Sequence, residues 1–248
     1  MYNGRPADPF APPPPRRSPF VLVEAPVLTY AILAVTAAVY LLQLASEQLL
    51  GTDYPASLGM KVNELIVAGQ WWRLLTPMLL HGSILHIGFN MYALLILGQD
   101  VERHMGHRRF LLLYVLSGFA GNVISFLFQP ADSLGASTSI FGLLAAQGVF
   151  VYQNRRLIAN ARDILLNVVF IAGVNLLIGL SGGIDNWGHL GGLLGGLMFS
   201  WFAGPKFQLG GEFSQTLVDA RGTGDVTLAS VLVLATFGGL TIWHILSG

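Results

Sequence analysis

The chain has 248 residues, of which 53% are hydrophobic and only 10% charged, and its thirteen basic and thirteen acidic residues cancel to a formal net charge of zero. Soluble domains carry about a quarter charged residues, so this composition, with a mean hydropathy of +0.62, is that of a chain threaded repeatedly through a membrane. The neutral balance excludes a nucleic-acid footprint, and the lack of cysteine excludes disulfides, thiolate metal ligation and a cysteine nucleophile.

Residues 1–25 hold Pro6, Pro9 and the run Pro12 to Pro15, followed by Arg16 and Arg17. A signal peptide would have an apolar core there. The composition predicts instead a disordered, partly polyproline II tail. Seven apolar stretches follow, at 26–44, 83–101, 110–128, 137–152, 164–180, 187–202 and 226–246. Each is near the roughly 20 residues a helix needs to cross the hydrocarbon core. The fourth to sixth are shorter, which suits helices that begin beside a cavity. The predicted organisation is a six-helix core over 26–204, a polar cytoplasmic linker over 205–225 and a seventh span over 226–248. With a cytoplasmic N-terminus, eleven of the thirteen basic residues fall on the cytoplasmic side and only Lys61 and Arg73 on the other. The positive-inside rule selects that orientation, with the C-terminus outside.

The connection over residues 51–82 is long for a compact bundle and too apolar for disorder. It is expected to lie at the outer interface, with Trp71 and Trp72 in the aromatic belt and Arg73 paired with phosphate or a backbone carbonyl. His81 reads as interfacial.

Polar groups inside spans are expensive and mark function. The topology sets three groups at one depth, in the outer third of the bilayer. The second span carries His86 and Asn90, four apart and so on one helix face, where two donors can point at a developing oxyanion. The fourth carries Ser137 in its first turn, where the backbone N–H has no intrahelical partner and is a further oxyanion donor. Phe141, four residues on, shares the Ser137 face and is placed to pack against an imidazole. The sixth carries His189, with Gly188, Gly192 and Gly196 making a groove for close helix approach; Gly135 and Gly142 of the fourth stretch are the expected partners. Packing through these glycines brings Ser137 and His189 together as nucleophile and general base. Asp185 falls in a loop, so a dyad is expected and not a triad. A lone serine in a membrane helix is ordinarily structural, and a lone histidine is an even bet between packing and function; only their joint occurrence is specific. Ser139, the rival nucleophile, faces another side of the helix.

These residues resemble the rhomboid family of intramembrane serine proteases. The matching elements are Trp72-Arg73, His81 with His86-x-x-x-Asn90, Glu102 with Gly106, Gly135-x-Ser137 with Gly142, and His189-x-x-Gly192-x-x-x-Gly196, in the family's order. The resemblance implies an all-α polytopic membrane protein with a six-helix core, here with one extra C-terminal transmembrane helix. It implies Ser137 as nucleophile, His189 as base, and His86, Asn90 and the Ser137 N–H as oxyanion donors. It also makes the first connection, with Trp72 and Arg73, a structural element in the outer leaflet. The family commonly has glycine where this chain has Thr138, a departure expected to shift helix packing or narrow the pocket.

The expected function is therefore a serine endopeptidase that cuts transmembrane protein substrates near the outer face of a bacterial plasma membrane, with no cofactor, no metal and no nucleic-acid partner. The alternative is an inactive rhomboid-like protein that binds membrane clients, for which Thr138 is the one support. A small-solute transporter would prefer matching broken helices in two halves, which the sequence lacks, and would leave Ser137 unexplained.

Overall fold

The computed structural model describes residues 20, 22–23, 25–180, 183–210 and 216–247. The expected tail thus lies outside the described residues except for positions 20, 22, 23 and 25. Of these, Leu22 and Val23 donate their backbone N–H groups to Arg103 O, and the Phe20 ring meets Phe150 and Phe207 edge-on.

Each of the seven apolar stretches is a helix. They are α1 (Val27–Leu50), α4 (Ile84–Met105), α5 (His107–Phe128), α6 (Ser137–Gln153), α7 (Ala161–Gly179), α8 (Asn186–Ala203) and α9 (Thr223–Ser247). Among the described residues, α1, α4, α5, α7 and α9 are long and apolar enough to cross a membrane. The shorter α6 and α8, of 17 and 18 residues, sit inside the bundle. The local punctuation is ordinary: Gly51, at φ 74°, closes α1, and the Ser83 hydroxyl accepts from His86 N to start α4.

The centre of the bundle is built from small residues. A methyl group added at Gly196 of α8 would fall 2.5 Å from Gly142 Cα and O of α6, and one at Gly191 would fall 2.7 Å from Ala120 O of α5. Backbones therefore touch where α5, α6 and α8 meet. Inside lipid, where burying apolar surface drives nothing, such close approach is what holds helices together. The seventh span, α9, packs against α5 and α8.

The long connection between α1 and α4 is folded and carries α2 (Tyr54–Gly59), α3 (Asn63–Val67) and two 3₁₀ turns, Trp71–Leu74 and Thr76–Leu79. Of the two expected roles for Arg73, the backbone one is observed. Its side chain is 2% exposed and donates to Met60 O at 2.7 Å, Ser57 O at 2.8 Å and Gln70 Oε1 at 2.8 Å. Trp71 and Trp72 are exposed, with Trp72 Nε1 donating to Leu58 O.

Two features differ from expectation. The stretch expected to be a linker holds a short hairpin, β1 (Phe207–Leu209) antiparallel to β2 (Leu217–Asp219). It is fixed to the bundle by Phe207 N donating to Asn154 Oδ1 and by an Arg109–Asp219 ion pair at 2.5 Å. His81, expected at the interface, is enclosed by the protein itself: it is 1% exposed, and Gln43 of α1 bonds to both its N–H and its carbonyl.

Candidate active site

Ser137 is the first residue of α6, half-buried, and no side chain caps that helix. The opening N–H groups of α6 are thus left facing the site, with the partial positive charge of a helix N-terminus. The chain reaches this point through Gly135 at φ 135°, a conformation side chains rarely adopt. A Cβ there would lie 2.7 Å from His86 Nε2 and 3.7 Å from Ser137 Oγ, so the hydroxyl and the imidazole of His86 converge on one point. Gly135 was expected to face α8; it instead leaves room for the His86 ring, because its positive φ swings the chain toward α4.

Asn90, one turn after His86, is 7% exposed and its Nδ2 donates to His86 O at 3.1 Å. One Nδ2 proton is thereby engaged and a second remains. His189, 7% exposed, lies flat on Phe141: the ring centroids are 4.1 Å apart and the planes 12° from parallel. Phe141 thus holds the imidazole against the Ser137 face of α6. Among the described residues no hydrogen bond joins the Ser137 hydroxyl to the His189 ring, and His189 Nδ1 is buried without a partner. Catalytic hydrogen bonds are often loose before substrate binds.

The third-member question has a physical answer. Asp185 precedes α8 and caps it, Oδ1 accepting from Gly188 N at 2.8 Å, while Oδ2 accepts from the Ser125 hydroxyl. The carboxylate is committed to positioning the start of α8 and does not hydrogen-bond the His189 ring. Ser139, the rival nucleophile, turns toward the first connection, with its Oγ 3.9 Å from Met78 Sδ.

Thr138 does not enter the pocket. Its side chain fills the gap between α5 and α8, where a Cβ on Gly121 would lie 2.6 Å from Thr138 Cβ and one on Gly188 would lie 3.1 Å from its Cγ2. Two facing glycines make the room that the threonine occupies.

Two buried basic residues beside this site have surroundings that the sequence did not show. His81 packs edge-on against His86 at 5.0 Å, with its ring buried; burial, with His86 adding to it and a backbone hydrogen bond at Leu79 opposing, pushes its pKa down to about 4. Lys61 is fully buried, and its ammonium donates to Gln129 O at 2.7 Å and Ala131 O at 2.8 Å. Burial pulls its pKa below the usual lysine range, against the pull of Asp185, Asp132 and Glu64. The backbone of Lys61 also pairs with Ser133, so this residue fixes the segment that delivers Gly135 and Ser137. No spacing signal marks Lys61. Among the described residues no cluster of histidines and carboxylates is placed to hold a metal ion.

Comparison with known proteins identifies the family. Residues 68–206 match the Rhomboid domain. The chain is 40% identical over 197 residues to the rhomboid protease GluP of Bacillus subtilis (strain 168), covering 79% of this chain and 38% of that protein. It is 37% identical over 163 residues to the chloroplastic RHOMBOID-like protein 9 of Arabidopsis thaliana, covering 65% of this chain and 38% of that protein. With RHOMBOID-like protein 2 of the same plant the identity is 38% over 148 residues, covering 59% and 47%. The chain thus spans less than half the length of each of these relatives. The Rhomboid match covers more than half of this chain, from just before the Trp71–Leu74 turn to just past the end of α8, and the chain belongs to the rhomboid family.

Proposed function

We propose that the chain is an intramembrane serine endopeptidase that hydrolyses peptide bonds of transmembrane substrates near the outer membrane face, with Ser137 as nucleophile and His189 as general base. The observation that carries this reading is a pair of placements on α6. The uncapped helix N-terminus bearing Ser137 stands beside the His86 ring at Gly135, and one turn on, Phe141 holds the His189 ring flat against the same helix.

The chemistry follows from those positions. A substrate helix end frayed by small residues, glycine or proline exposes a carbonyl that an intact helix would hydrogen-bond and shield. Ser137 Oγ attacks the carbonyl carbon and His189 accepts its proton. The developing oxyanion meets the Ser137 N–H, His86 and the second Nδ2 proton of Asn90. His189 returns the proton to the leaving amine, and a water molecule, deprotonated by the same ring, then hydrolyses the acyl-enzyme. Among the described residues, eight of the ten basic side chains (Arg103, Arg108, Arg109, Arg155, Arg156, Arg162, Lys206 and Arg221) belong to the end of the bundle away from Ser137, and only Lys61 and Arg73 to the other, which supports a cytoplasmic N-terminus and a site near the outer face. Thr138, the one residue in favour of an inactive client-binding relative, is taken up by Gly121 and Gly188 and gives that alternative no support.

The test is labelling of the full chain in detergent by a fluorophosphonate probe. Wild type is expected to label, and Ser137→Ala and His189→Ala are not. Asn90→Ala is expected to lower turnover of a transmembrane substrate by about 10²–10³. A folded wild type that never labels overturns the reading, and labelling that survives Ser137→Ala moves the nucleophile to Ser139.

A further inference from the structure

At the end of the bundle opposite Ser137, the turn between α6 and α7 and the first half of α7 enclose a groove of about 450 Å³. Its lining is ordered along one face of α7. Arg162, Leu165, Leu166 and Val169 stand at i, i+3, i+4 and i+7, a single helical stripe. The stripe carries its one charge at the top and runs apolar for about 10 Å below it. Arg155 joins Arg162 across the groove. It is held in place by its own Nη1 bond to Tyr152 O at 2.7 Å and by its guanidinium lying 4.3 Å from the Tyr152 ring centroid. No side chain caps the N-terminus of α7 at Asn160, and the helix start adds partial positive charge to the same spot, offset in part by Asp163 in its first turn.

Leu166 and Val169 are 58% and 68% exposed, as is Phe170 just below at 67%. On a helix that crosses the membrane, side chains of this kind face hydrocarbon, so the lower groove is open to lipid and only its upper end meets water. Two arginines and a helix N-terminus above an apolar trough match a molecule with an anionic head and an acyl chain, in that order. A soluble anion would meet only the upper end. The geometry points to a binding site for an anionic phospholipid, its phosphate between Arg155 and Arg162 and its chain along Leu165, Leu166 and Val169. Basic pockets against transmembrane helices on the basic side of a membrane protein select such headgroups. Arginine suits the role because its planar fork matches phosphate oxygens.

The experiment is native mass spectrometry of the full chain in non-ionic detergent, titrated separately with phosphatidylglycerol, phosphatidylcholine and inorganic phosphate. Wild type is expected to hold phosphatidylglycerol about tenfold more tightly than phosphatidylcholine, and millimolar inorganic phosphate is not expected to displace it. Arg155→Gln with Arg162→Gln should bring the two lipids to equal affinity, and Leu166→Ser should weaken both equally. All three substitutions are at exposed positions. Equal affinity in wild type overturns the site, as does displacement by phosphate alone or a preference that survives the double substitution. The wild-type comparison decides the question by itself if the double variant fails to fold.

Discussion

Helices α5 and α7 are of nearly equal apolarity and similar length, yet 72% of the most apolar window of α5 is buried within the protein and only 6% of that of α7. The difference is one of side-chain size. Along its packed face α5 presents Ser117, Gly118, Ala120, Gly121 and Ser125, all buried, which let the glycines of α8 reach its backbone. Leu166, Val169, Phe170, Leu177 and Ile178 of α7 project outward. In water the apolar character of α7 would bury it. In lipid it does not, and small residues decide which helix becomes core.

That contrast can be broken with one pair of substitutions and refined with two others. Gly196→Leu should have the largest effect, because the obstacle at Gly196 is the Gly142 backbone and cannot rotate away. A loss of about 3 kcal/mol is expected in reversible unfolding in mixed micelles, with loss of fluorophosphonate labelling as α8 carries His189 away from α6. Thr138→Gly should cost about 1–2 kcal/mol, because it empties the space between Gly121 and Gly188 and places another glycine in a helix. A gain in stability on that change would show that the threonine strains the interface.

A pH effect should be smaller. His81 is neutral in the folded protein down to about pH 4, against an ordinary value of 6.5. The unfolded chain therefore takes up the proton first, so this contribution is complete above 6.5 and is lost as pH falls toward 4. The unfolding temperature of wild type should drop between about pH 7 and about pH 5, and His81→Gln should drop less; equal drops would dismiss the role. The smallest effect is expected for Gly173→Leu on α7, where an added side chain meets nothing within 4 Å. It should change stability by no more than about 0.5–1 kcal/mol, with the sign favourable from helix propensity. A large loss there would mean that α7 is packed more tightly than its exposure indicates.

The seven helices were legible in the sequence because a span of twenty apolar residues is a long signal with few competing explanations. The hairpin was not, since strands of three residues within a polar segment carry no period to read. Around the candidate site, the stacking of Phe141 on His189 followed from a four-residue spacing on one helix. The burial of His81 did not, because it comes from Gln43, nearly forty residues earlier in the chain, closing on its backbone. The place of Gly135 was misjudged for a related reason. Glycine repeats announce close approach, but a positive φ decides which neighbour is approached, and that angle has no sequence pattern of its own. The effect of Thr138 also depended on the residues opposite it, which lie on helices read separately.

Lys61 sets a schedule as well as a position. The carbonyls that receive its ammonium belong to Gln129 and Ala131, 68 and 70 residues further along the chain. During synthesis they follow it by on the order of ten seconds. Until α5 has crossed, the charge has nowhere to go but water or headgroups. The segment leading to Ser137 then arrives at a docking point already waiting for it, before α7, α8 and α9 have been made.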